Sequence, residues 1–148
     1  MTLPRVAPLA LILAACAKAA DAPPAPAPAD ASASAPTVSI VFPAAAEVTG
    51  PRVVVRLVAT GVRVVPASGQ RIAGEGHHHL FLDIDPGQAD SLIPTGKGIY
   101  HLGSGVDSLV LDSLPDGPHR LIAVFAGGDH VPMAEVRRDT VAFDVKKP

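Results

Sequence analysis

The sequence has one cysteine, Cys16, one tyrosine and no tryptophan, and aromatic residues make up only 3% of its 148 residues. A lone cysteine forms no CxxC pair, so thiolate-based metal knuckles are excluded. Charge is scarce in either direction. From Thr37 to Pro148 ten Lys and Arg stand against twelve Asp and Glu, with no basic run. Without a cationic stripe or stacking aromatics, nucleic acid is not expected as a partner. No segment shows the 3.6-residue apolar periodicity of a helix, and no Gly-x-Ser-x-Gly elbow presents Ser104 or Ser108 as a nucleophile.

What is present begins at the front. "MTLPRVAPLALILAAC" places one cation, Arg5, before an apolar run from Val6 to Ala15 that ends in small residues at Cys16. That order is the grammar of an export signal over residues 1–15, and the run is too short for a resident membrane span. Leu13-Ala14-Ala15-Cys16 resembles the lipobox of bacterial lipoproteins. The resemblance implies cleavage before Cys16, acylation of that residue and attachment to a membrane through lipid alone. Ala17 stands where an inner-membrane retention aspartate would, so in a cell with two membranes the expectation is the outer one, facing the periplasm. Residues 16–36 then form the lipidated cysteine and an Ala/Pro-rich tether, "AKAADAPPAPAPADASASAP", whose prolines keep it extended and whose composition cannot build a core.

From Thr37 the pattern changes to period two, broken by Gly, Pro and Asp clusters. "TVSIVF", "RVVVRLV", "HHLFLDI", "SLVLDSL", "HRLIAVF" and "TVAFDV" read as half-buried strands, with "GIYHL" as a weaker seventh. About seven short strands in residues 37–148 predict an all-β domain, an immunoglobulin-like antiparallel β-sandwich, with a closed barrel as the rival. "LPDGPHRL" resembles the turn before the sixth strand of such sandwiches, with His119 where a tyrosine is common.

All six histidines fall between His77 and His130. Counting strands alternately up and down brings His77, His78, His79, His101 and His130 to one end of the sandwich and His119 to the other. Alternation points His77 and His79 to one side of their strand and sends His78 with Leu80 into the core. The expected chemistry is a transition-metal site, copper or zinc, in which His79, His101 and His130 are joined by His77 as fourth ligand. His78 is an alternative ligand. Asp129 and Glu75 are carboxylates that can orient an imidazole through its second N–H, and Met133 is a soft thioether suited to copper(I). Binding rather than catalysis is the expectation, because the bridging-histidine spacing of copper/zinc superoxide dismutases is not reproduced. The alternative is a structural or protein-interaction domain whose histidines serve the fold.

"FPAAAEVTGP", "GEGHHHLFLD", "IYHLGSG", "LPDGPHRL" and "GGDHVPM" together resemble the bacterial family described as domain of unknown function 4399, over about Val38 to Val145. The resemblance implies a secreted β domain and carries no established activity. The family pattern has two further histidines, at the positions of Ile99 and Met133 here, so a metal site in this chain would have fewer ligands.

Overall fold

The computed structural model describes residues 34–148 and is all-β. Cys16, the expected export signal and most of the expected tether lie outside the described residues. The strands are β1 (Thr37–Phe42), β2 (Val48–Thr49), β3 (Val53–Thr60), β4 (Arg63–Val64), β5 (Glu75–Leu82), β6 (Ile99–Leu102), β7 (Ser108–Leu111), β8 (Gly117–Ala126) and β9 (Asp139–Val145). All seven strands expected from period-two alternation are there. β2 and β4 are two-residue additions too short to leave a periodic signal.

Two sheets form. One has the order β1-β3-β7; the other runs β2-β9-β8-β5-β4, with β6 pairing the same edge of β5 beyond β4. β4 covers Glu75 and Gly76, and β6 takes over from His78 to Phe81, pairing His79 with His101. The long strands pair antiparallel, so the immunoglobulin-like sandwich is the observed architecture. Among the described residues no helix is long and apolar enough to cross a membrane.

Alternation explains the main core. Val53, Val55 and Leu57 of β3 face Leu80 of β5, Leu121, Ala123 and Phe125 of β8, and Val141, Phe143 and Val145 of β9. Burying each such side chain contributes about 1.5–3 kcal/mol, which makes this interior the principal source of stability. β5 and β8 depart from simple alternation. Their other faces are also covered, because Phe81, Ile122, Val124 and Ala126 pack with Ile93 into a second apolar cluster outside the sandwich. A central strand covered on both sides has no solvent face, and His77 through Phe81 are therefore all buried.

His119 does the work of a corner tyrosine. Its Nε2 lies 2.9 Å from the carbonyl oxygen of Pro115, four residues upstream, and its Nδ1 lies 2.7 Å from Asp83 Oδ2. The opposite carboxylate oxygen of Asp83 accepts the Arg120 N–H at 2.8 Å, tying the end of β5 to the start of β8. Burial works to lower the His119 pKa, but the Pro115 and Asp83 hydrogen bonds outweigh it and raise the pKa above its ordinary value.

Candidate metal centre

β5 carries His77 and His79 on the face that points away from the sandwich interior, the same face as Phe81. β6 brings His101 opposite His79 by register. His130 arrives from the β8–β9 connection, where Gly127 N–H bonds Val131 O at 3.0 Å and His130 N–H bonds Gly127 O at 2.9 Å. That tight reversal holds His130 at φ 63°, and Ile93 N–H caps the His130 carbonyl at 3.0 Å. The Ile93 contact anchors the histidine loop to the outer apolar cluster.

Four rings meet. Centroid separations among His77, His79, His101 and His130 run from 4.7 to 5.9 Å. Nε2 of His77 is 3.0 Å from Nε2 of His79, and Nε2 of His130 is 3.2 Å from Nε2 of His101. Bonds of about 2.0–2.1 Å to one ion place neighbouring ligand nitrogens about 2.9–3.4 Å apart, in square or tetrahedral coordination. Both observed spacings fall in that interval. One ring nitrogen from each of His77, His79 and His101 lies within 4.8 Å of the others, so these three histidines can hold a metal ion after small ring rotations. The tightest trio thus contains His77 rather than His130, which approaches chiefly through His101.

Electrostatics favours the neutral, ligating form of the buried rings. Burial, with further repulsion from His101, His130 and His78, pushes His77 down to about 4, against an opposing pull from Asp129. Burial and the same crowding by His77, His101, His130 and His78 push His79 down to about 3. Burial and His130 also lower His101. Each lone pair is therefore available to a metal across the neutral range. Nδ1 of His77 and of His79 are buried without a hydrogen-bond partner among the described residues.

These shifts set a pH dependence. Above about pH 6.5 both rings are neutral whether the chain is folded or not, and their contribution is constant. Below it the unfolded chain takes up protons that the native state refuses until pH falls to about 4 and about 3. Metal-free stability should therefore fall as pH drops from about 6.5 toward 4, by about 1.4 kcal/mol per pH unit for each ring. His119 acts oppositely: its contribution is full below the unfolded value and is lost as pH rises through its raised pKa. Urea unfolding between pH 4 and 8 checks this, and a flat profile below pH 6.5 would contradict it.

Gly103 positions His101. A Cβ there would lie 2.1 Å from Cε1 and Nε2 of the His101 ring, so the ring occupies space that only glycine leaves open. The colliding atoms belong to an exposed side chain free to rotate, and the fold can therefore tolerate the change. Gly103→Ala should leave the metal-free melting temperature nearly unchanged and weaken zinc binding by about 10–100-fold, the range seen when ligand orientation is lost. Calorimetry on the variant tests it.

Other expected ligands are placed elsewhere. Met133 is 3% exposed in the sandwich interior, because its N–H pairs with Phe125 O and turns the thioether inward, away from the histidines. Glu75 is bonded to Arg63, and Asp129 lies 3.5 Å from Arg71 and accepts the Val131 N–H at 3.3 Å. Neither carboxylate orients an imidazole; Asp129 reaches His77 only through its field. Arginine outcompetes a neutral imidazole for a carboxylate because it carries a full charge. His78 packs edge-on against Phe125 at 5.5 Å in the sandwich interior, with both ring nitrogens unpartnered, and is not a ligand of this cluster. His119 lies seven residues along β8 from Ala126, the partner of His77, or about 23 Å at about 3.3 Å per residue. Gly103 is the residue that reading the sequence missed, since nothing in "HLGSG" separates a turn glycine from one under a ring.

The family model described as a domain of unknown function (DUF4399) matches residues 55–146, and the chain belongs to that family. No curated protein and no solved structure matches it.

Proposed function

We propose that this member of the domain of unknown function 4399 family is an envelope lipoprotein whose histidine cluster binds copper or zinc as a buffer, carrier or sensor. The observation that supports the reading is the meeting of four imidazoles from β5, β6 and the β8–β9 connection, with Nε2 pairs at 3.0 and 3.2 Å. Without an ion each Nε2 pair can share a single N–H···N hydrogen bond between neutral rings, whereas a cation among them would engage the lone pairs of all the rings at once. His77, His79 and His101 would be the principal ligands, with His130 completing the set. An all-nitrogen set suits both ions, and at equal geometry copper(II) binds more tightly than zinc.

The lipid anchor rests on the lipobox-like Leu13-Ala14-Ala15-Cys16 and the tether behind it. Cys16→Ser should lose metabolic acyl label and membrane partition; an unchanged membrane fraction would refute the anchor. The reading is of a binder rather than an enzyme, and superoxide or oxidase turnover by the copper-loaded protein would overturn that part. The decisive test is titration of protein purified without a histidine tag. Binding tighter than about 10 µM, equivalent to about −7 kcal/mol, is expected for copper(II) or zinc. Weaker binding of both would leave the alternative, in which the histidines serve the fold of a structural or protein-interaction domain.

A further inference from the structure

Beside His119, whose end of β8 lies away from the four-histidine cluster, is a half-open cavity of about 620 Å³. That volume lies within the range of about 300–1,000 Å³ common to small-molecule sites. Leu82 at the end of β5, Ile84 just beyond it, Leu114 after β7 and Tyr100 on β6 supply its largely apolar wall, and Lys97 and His119 its cations. Two of its lining residues, Asp83 and Ser113, hold left-handed backbone at φ 58° and 59° although neither is glycine. Such conformations cost of order 1–3 kcal/mol each and gather where a site must be shaped.

The polar groups divide sharply. Both ring nitrogens of His119 face acceptors only, a carboxylate and a carbonyl, so both bonds form together only when the ring carries two protons. Asp83 spends one oxygen on that imidazolium and the other on the Arg120 N–H. The pair is therefore fixed and neutral as a unit. Lys97 forms no ion pair among the described residues, and the Tyr100 hydroxyl has no hydrogen-bond partner among them. An apolar cavity with one uncompensated ammonium and one free hydroxyl matches an anion on a compact apolar body.

We propose that this cavity is a second binding site, for a small carboxylate whose carboxyl group meets Lys97 and Tyr100 while its apolar body rests on Leu82, Ile84 and Leu114. The proposal does not rest on the metal reading: His119 lies at the opposite end of β8 from Ala126, the partner of His77, and Tyr100, although next to His101 on β6, pairs with Leu80 of the sandwich interior.

Tyr100 is the only tyrosine of a chain without tryptophan, so intrinsic fluorescence reports on the cavity directly. The full chain, kept metal-free with a chelator, is titrated with cyclohexanecarboxylate, cyclohexylmethanol and cyclohexylmethylamine, which share one body and differ in charge. A saturable change is expected for the carboxylate, with the amine weaker by about tenfold. Lys97→Met, which keeps the apolar stem, should bring the carboxylate down to the affinity of the alcohol. No saturable change with any of the three would overturn the site. An amine binding as well as the carboxylate, or a preference that survives Lys97→Met, would overturn the assignment to carboxylates.

Discussion

Replacing His79 by alanine is expected to lower copper and zinc affinity by about two orders of magnitude or more, the largest effect of any single histidine. His79 is 2% exposed, its Nε2 already lies 3.0 Å from that of His77, and it sits opposite His101 in the strand register. Removing it takes away the ring that links the β5 pair to β6. A structural zinc site with four ligands supplies about 10–16 kcal/mol, so one ligand carries roughly 3 kcal/mol. The fold should report the same loss. At one hundred times the dissociation constant, bound metal stabilises the native state by about 2.7 kcal/mol. For a domain of this size that is roughly a 10 °C rise in melting temperature, which His79→Ala should abolish. His119→Ala is the control, since it should lower metal-free stability by breaking the Asp83 and Pro115 bonds while leaving affinity nearly unchanged. A His79→Ala protein that still gains the full metal-induced rise would refute the proposed ligand set.

Gly76→Ala should prevent stable folding. A Cβ at Gly76 would lie 2.1 Å from the carbonyl oxygen of Ala126 and 2.8 Å from the Phe125 ring, where β5 packs beside β8. The first obstacle is backbone and the second a core ring, so neither can swing away. The strands must part, and with them the Leu80, Leu121 and Phe125 packing of the main core. We expect a loss of more than about 4 kcal/mol, a large share of the 5–15 kcal/mol that stabilises an ordinary domain. Gly50→Ala is the matched control, with open space around its Cβ and an ordinary φ. It should shift stability by no more than about 0.5 kcal/mol. Equal melting temperatures for the two variants would show that β5 and β8 approach less closely than described.

Much of this was legible in the one-dimensional pattern, and the reason is local geometry. Successive side chains of a strand point to opposite faces whatever the strand packs against. The letters of "HHHLFL" therefore already separate His77 and His79 from His78, and Val53, Val55 and Leu57 from their neighbours, and the structure keeps both divisions. Alternating strand direction likewise sends His119 to the opposite end from His77, as the β8 register shows. Pattern could not tell which faces would be covered. β5 is buried on both sides only because Ile93 and the turn through His130 fold back over it, and such contacts join residues far apart in sequence.

For the same reason partner choice was decided only in three dimensions. Glu75 and Asp129 stand near the histidines in sequence, yet Arg63 and Arg71 reach them first, and the backbone bond of Met133 to Phe125 turns its sulfur into the sandwich. Gly76 and Gly103 look alike on the page. One lies beneath a neighbouring strand and the other beneath an imidazole, and only the packed structure shows which space each leaves open. Residue type and period fix the seven longer strands, their alternation and the gathering of histidines in one region of the chain, while the two-residue β2 and β4 leave no such signal. Strand alternation already grouped His77, His79, His101 and His130, but how closely their nitrogens approach, which carboxylates are already spent and where a cavity remains depend on long-range packing that no local pattern encodes.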